Sequence, residues 1–440
     1  MNFIKINNIN SYFKIKNWHF LIIGSIIRVI IIKKEEFMEY VELEKLYYKR
    51  KNVKEEYEKR FNNYCTIKTN LFISPLVRGE KKNKEKYELF LLPLNKLLIL
   101  QNKITENSKK IKSITESISN FAVHSCILDL VGKEIIKTNE IEGVHSTKKE
   151  VFDEINFNKK SKDTQIIQTY LDLLNEKYTN IDDLSGIKKL YDKMFDQNVL
   201  EKENNKVEGK FVRQNSVSIY NGDKKIHVGI NGEENIEKNM ESLIVFMNNK
   251  QILPLIKAAI THYFLEYIHP FYDGNGRFGR YIYSMYLSRK FDIFTGISLS
   301  YSIKMNNKIY LDSFLQVGKK ENYGEITFFV ENVLKIIAQG QESIIELLEK
   351  KKIIYEFMYE KIKELELEEN EENILICLCE MKLFSKNIAV KHNDLTTNLN
   401  ISSYKLKNNI ENLIKEGYII KIRKKPLIYA LGEKIEDLID

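Results

Sequence analysis

The chain has 440 residues, of which 43% are hydrophobic and 30% charged, with a net charge of +8. That is length for about three domains and enough apolar content for a packed core, which excludes wholesale disorder. Five prolines and 18 glycines exclude collagen-like and proline-rich architectures and disfavour a turn-rich all-β protein, and four scattered cysteines exclude a disulfide framework and fit a reducing, cytoplasmic setting.

Residues 1–37 carry six basic residues against two acidic ones. Their apolar run, WHFLIIGSIIRVIII at 18–32, is short for a membrane span and is interrupted by Arg28. It has no small-residue cleavage site before Lys33, so it does not read as a signal peptide. We read 1–37 as a translated leader ahead of Met38, with a short hydrophobic anchor as the alternative; no stable membrane association is expected.

Residues 38–100 are expected to form an N-terminal helical region. The segment 39–64 reads as a solvated helix, and LFLLPLNKLLILQNKI opens a further apolar helical stretch. Amphipathic helices follow at 160–178 and 180–199. Around Asn221-Gly222-Asp223, residues 210–230 carry β-branched and aromatic positions, a hairpin signal and the only clear β element before the C-terminal region. Helices return at 234–249, 253–268, 275–291 and 323–367. The acidic run ELELEENEE at 364–372 marks a linker and a boundary near 370.

One segment concentrates chemistry: His269-Pro270-Phe271-Tyr272-Asp273-Gly274-Asn275-Gly276-Arg277-Phe278-Gly279-Arg280. The helix before it must stop ahead of Pro270. The glycines let backbone approach a ligand, and the helix that follows points free N–H groups and a positive dipole end at an anion. Arg277 and Arg280, one turn apart, suit phosphate oxygens. Asp273 can hold a Mg²⁺ that bridges phosphates, and His269 is the natural general base. Each residue alone is compatible with an ordinary helix–turn–helix; the joint pattern is not.

This segment resembles the Fic motif H-x-F-x-[D/E]-G-N-G-R-x-x-R, matched at every fixed position. The resemblance extends to the flanks and to stretches over roughly residues 100–350. It implies a mainly α fold, a helical bundle with a β-hairpin flap, at 101–367. It also implies a protein adenylyltransferase, a nucleotidyltransferase that moves AMP from ATP to a Tyr, Ser or Thr hydroxyl of a target protein. His269 would be the catalytic base and Asp273 the Mg²⁺ ligand. Gly274, Asn275 and Gly276 would line the anion hole, with Asn275 at the α-phosphate. Arg277 would bind the β-phosphate and Arg280 the γ-phosphate, with Phe271 as apolar anchor. Relatives that transfer phosphate carry a bulky basic residue where Gly276 stands, so Gly276 favours AMP transfer. The hairpin would be a flap that either aligns a target segment by strand pairing or merely shields the site.

Thr138, Glu142 and Gly143, in the stretch 133–143, resemble the family's inhibitory motif [S/T]-x-x-x-E-[G/N] on a helix preceding the core. A carboxylate paired with Arg280 would occupy the partner of the γ-phosphate. In some relatives the same glutamate orients water to remove AMP, and that activity stays open here.

Residues 371–433 read as three helices and two strands around Arg423-Lys424-Lys425-Pro426, which resembles a winged helix-turn-helix domain. Over 401–432, seven basic residues stand against two acidic ones. DNA phosphates meeting 402–425 are therefore a candidate partner, with a dimer or protein-docking module as the equal alternative. A DNA-binding regulator with a nucleotide-sensing module is the second reading of the whole chain. A homodimer is compatible with either.

Overall fold

The computed structural model describes residues 40–439, except positions 50, 78, 83, 222 and 386–388, together with the backbone of three short strands at Phe13–Ile15, Trp18–Phe20 and Ile32–Lys33. The rest of the expected leader lies outside the described residues. Among the described residues no helix is long and apolar enough to cross a membrane.

The N-terminal region is not the helical stretch the sequence suggests. Its expected solvated helix is two short ones, Leu43–Tyr48 and Val53–Phe61, with Leu43, Leu46 and Val53 buried against Phe90. Strands β1 (Ile67–Ile73), β2 (Leu76–Val77), β3 (Glu80–Lys81) and β4 (Tyr87–Leu91) follow. β1 pairs with β4, and β2 with β3, all antiparallel. The apolar run beginning in β4 is divided by Pro93, which favours extended backbone before it, and α1 (Asn95–Thr115) starts just beyond. A short apolar run does not by itself distinguish strand from helix.

The bundle is built on four long helices. α1 lies along α6 (Thr327–Lys363), α2 (Asn120–Ile141) and α4 (Pro254–Ile268) both contact α5 (Asn275–Lys290), α4 also packs on α6, and α3 (Leu184–Met194) lies beside the helix Glu233–Met247. α1 runs parallel to α6: Lys96, Lys103 and Lys110 pair in order with Glu331, Glu342 and Glu349. α4 is buried along nearly its whole length, as its run of Ile, Leu, Ala and aromatic residues requires. The hairpin lies inside the expected 210–230 window, as β5 (Ser218–Asn221) and β6 (Lys224–Val228).

The C-terminal region contains α7 (Glu369–Phe384), β7 (Ala389–Lys391), α8 (His392–Leu399), α9 (Ser403–Lys415), β8 (Ile419–Lys424), β9 (Leu427–Leu431) and a last short helix, Glu433–Ile439. Sequence reading had the helices and the two late strands but not β7, which pairs with β9 to make a three-stranded sheet ordered β7-β9-β8. Three residues of alternating burial are too few to stand out as a pattern. The acidic run does separate α6 from α7, but the cores interleave: Met358 and Ile362 of α6 pack with Ile374, Leu375, Leu406 and Ile410. α7 also lies against α2, where Ser125 Oγ donates to Met381 Sδ at 3.0 Å.

Phe90 is fully buried, edge-on to Phe61 at 5.3 Å, and its backbone bonds Gly324 and Ile326. Phe90→Ala should cost about 3–5 kcal/mol in a urea unfolding measurement, because the aromatic cluster around it cannot close the void.

Candidate active site

α4 ends at His269, whose backbone takes the left-handed conformation (φ 54°) as its N–H bonds Leu265 O at 3.0 Å. That turn throws the imidazole off the helix line toward the start of α5. Phe271 is fully buried, stacked on Tyr191 with ring centroids 3.6 Å apart and edge-on to Phe278 at 5.3 Å. It anchors the loop as expected of an apolar plug. Tyr191 also donates to Asp273 O at 2.9 Å, so α3 holds the loop at two points.

Asn275 opens α5 with its side chain turned inward. Its Oδ1 accepts from Phe271 N at 2.9 Å and its Nδ2 donates to Phe271 O at 2.8 Å. The amide thus staples the loop, which leaves its other amide hydrogen and its backbone N–H for an anion. Gly274 sits at φ 75°, and a β-carbon there would come within 2.7 Å of the Phe195 ring. Arg277 donates to Asp273 Oδ2 at 3.1 Å and lies over the Phe195 ring, 4.9 Å from its centroid.

Arg280 is 2% exposed and fully engaged by the end of α2. Its Nε donates to Thr138 Oγ1 at 2.9 Å, its Nη1 to Glu142 Oε1 at 2.8 Å and its Nη2 to Thr138 O at 3.0 Å. Gly143, at φ 71°, ends the helix so that the Glu142 side chain leaves from its last turn. A carboxylate there faces the negative end of the helix dipole, and Arg280 supplies the compensating charge. A β-carbon on Gly276 would lie 2.2 Å from Glu142 Oε1. The glutamate therefore rests on the glycine of the loop as well as on the arginine.

The electrostatics follow from these contacts. Burial alone would raise the Glu142 carboxyl, but Arg280, with Arg277 and His269 farther off, outweighs it and holds the group below the usual carboxylate range. Burial, and then the charge of Arg213, push His269 down to about 4, against the Glu266 carbonyl, Glu142 and Asp273. The ring is neutral near pH 7. Its Nδ1 lies 3.3 Å from Glu266 O, and since a carbonyl only accepts, this contact places the proton on Nδ1 and leaves Nε2 unprotonated, able to accept one. The Glu266 carboxyl, 3.9 Å from Nδ1, is raised to about 8 by burial and by Glu142.

Of the residues singled out in the sequence, Thr138 and Glu142 meet Arg280, Asp273 meets Arg277, and Asn275 ties back to Phe271, while Gly143 ends α2. Sequence reading missed Arg213, Glu266 and Gly229 beside His269. Arg213 bonds backbone carbonyls only, so no spacing of side chains could have announced it.

A family model described as Fic/DOC family matches residues 181–287. That span holds the hairpin and the whole His269–Arg280 segment but neither Thr138 and Glu142 nor the C-terminal region. The protein adenylyltransferase Fic of Nematostella vectensis is 30% identical over 135 residues, 30% of this chain and 29% of that protein. The chain thus spans only that 29% of the relative's length. A Fic family protein from Desulfovibrio desulfuricans G20 superposes with a TM-score of 0.48 at 17% identity, over 77% of this chain and 97% of the other. Fic-1 of C. elegans (residues 134–508) gives 0.39 at 17% identity, over 57% and 72%.

Arg280→Met should cost about 3–5 kcal/mol of stability, since it leaves Thr138 and Glu142 facing one another without their donor. Glu142→Gln keeps an accepting oxygen and should cost under about 1.5 kcal/mol. Urea unfolding of both variants checks the contrast.

Proposed function

Starting from a Fic/DOC domain at residues 181–287, we propose that the protein is a Mg²⁺-dependent adenylyltransferase that modifies a Tyr, Ser or Thr hydroxyl on a target protein and is restrained by its own Glu142. The observation that carries this reading is the triple hold on Arg280 by Thr138 and Glu142 beside a complete His269–Arg280 motif.

In the proposed reaction the target hydroxyl gives its proton to His269 Nε2 as its oxygen bonds the α-phosphorus. The bond from that phosphorus to the bridging oxygen breaks, and pyrophosphate leaves. Arg277 holds the β-phosphate and Arg280 the γ-phosphate, while N–H groups at Gly274–Gly276 face the charge that develops on the α-phosphate. Asp273 would hold Mg²⁺: its carboxylate is 43% exposed and pairs with Arg277. No cluster of three or more metal-type side chains exists among the described residues. Bound at Asp273, Mg²⁺ would supply positive charge to offset that of the phosphates. Glu142, seated on Gly276 and Arg280, takes the place of the γ-phosphate, so ATP binds without the arginine that would align it.

The same reading takes 371–433 as a winged-helix accessory domain. Lys405, Lys407, Lys421, Arg423, Lys424 and Lys425 are all exposed there, which suits a polyanion such as DNA.

Incubation with ATP labelled on the α-phosphate and host lysate tests the reading. Glu142→Gly should raise protein labelling at least about tenfold, the worth of a freed charged hydrogen bond to phosphate. Glu142→Gly/His269→Ala should lose about 10²–10⁴-fold of it. No label from any variant overturns the reading and favours AMP removal or a DNA-binding role. The labelling rate of Glu142→Gly should also hold down to about pH 5, with no acid limb near the ordinary histidine value of about 6.5. His269 is already depressed to about 4, and loss of Glu142 removes a group that raises it.

A further inference from the structure

Arg213 is fully buried, yet no carboxylate pairs with it among the described residues. Its guanidinium instead spans three chain segments. Nε donates to His269 O at 2.8 Å. Nη1 donates to Asn215 O, at the entry to the hairpin. Nη2 donates to Ile230 O at 2.8 Å, at the hairpin's exit, and reaches Ile268 O at 3.4 Å. Its own backbone N–H bonds Pro270 O at 3.0 Å.

A buried arginine without a counter-ion is costly, and its pKa falls to about 10, from burial first. The planar fork offers what no neutral side chain can: five donors in fixed directions, enough for carbonyls on both ends of a hairpin and on the end of a helix. The fold makes room for it. A β-carbon on Gly229 would stand 2.3 Å from Arg213 Nη2 and 3.1 Å from His269 Cβ. Parallel contacts run along the same seam: Ile230 N to Ile268 O at 3.1 Å, and His227 Nε2 against Tyr267 O at 3.0 Å. From β3, Lys81 Nζ adds a bond to Val228 O at 2.9 Å.

We propose that Arg213 is a positioning residue that locks the base of the hairpin and the left-handed turn at His269 into one unit, so that the imidazole and the strand facing a target segment keep a fixed relation. This rests on the reading of His269 as the base in AMP transfer. Arg213 lies on the hairpin side of His269, whereas the nucleotide's proposed contacts lie along Gly274–Arg280. Its loss therefore displaces the base relative to the target hydroxyl without weakening the hold on ATP.

The test uses the full chain carrying Glu142→Gly as parent. Arg213→Met should lower kcat about 10²-fold, the penalty for misplacing a reacting group by about 1 Å, with KM for ATP within about threefold of the parent. Arg213→Lys, with three donors, should recover part of the loss. Gly229→Ala crowds the same guanidinium from the other side, so it should lower kcat too; its methyl also meets His269 Cβ at 3.1 Å, and the share of the loss that runs through Arg213 is the share missing when it is added to Arg213→Met. Amide hydrogen exchange is measured on the same proteins: residues 215–230 should exchange faster in Arg213→Met while α4 stays protected. Unchanged kcat in both single variants, or a rise in KM that accounts for the whole loss, overturns the proposal. If Arg213→Met does not fold, Arg213→Lys decides by the same two readouts. A parent that transfers no label overturns the AMP-transfer reading instead, and the clamp then stands or falls on the exchange rates.

Discussion

The contact on which the arrangement depends is the buried guanidinium of Arg280. A fully desolvated cation is tolerable only with its donors filled, and three of them are filled by one turn of α2, from Thr138 and Glu142. This fixes where α2 must end, and Gly143 ends it there. It also fixes why position 276 has no side chain, since the carboxylate occupies that space. The same requirement gives the proposed restraint its logic. Any ligand that takes Arg280 from Glu142 must bring negative charge of its own, or leave the cation stranded. A triphosphate does so.

A second layer of support stands behind α2. Glu134, fully buried, accepts from the backbone N–H groups of Ser300 and Tyr301 and so caps the helix Leu299–Met305, while Lys304 donates to Glu140 O at 3.2 Å near the end of α2. Burial raises Glu134 to about 7. The turn bearing Glu142 is thus held from the core side as well as by Arg280. Release of the restraint in the proposed cycle need move only the Glu142 side chain, not the helix.

Much of this was legible in the sequence because the chemistry is local. Twelve consecutive residues from His269 to Arg280 carry a histidine, a carboxylate, a glycine turn and two arginines, and their helix boundaries follow from Pro270 and two glycines. Thr138 and Glu142 were legible only beside that segment, since the spacing alone occurs on many helix surfaces. The inward turn of Asn275 was not legible, because its partner is the backbone of Phe271. Arg213 was hidden for the same reason. It answers to carbonyls at 215, 230, 268 and 269, and carbonyls leave no trace in composition. Of the strands at 67–91, β1 pairs with a strand some way along the chain, β2 and β3 are only two residues each, and the apolar residues of β4 run on into α1, with Pro93 as the one mark of that boundary.

The 37 residues of α6 belong to two cores at once. Their first half packs under α1 and α4, and Met358 and Ile362 near their end belong to the C-terminal core, against α7 and the last helix Glu433–Ile439. A chain cut at the acidic run after residue 363 would strip that cover and leave two apolar side chains bare on a protruding rod. The C-terminal region is consequently not a detachable appendage. Because α7 lies against α2 as well, a load applied to the C-terminal region has a rigid, hydrophobic route to the helix whose last turn grips Arg280.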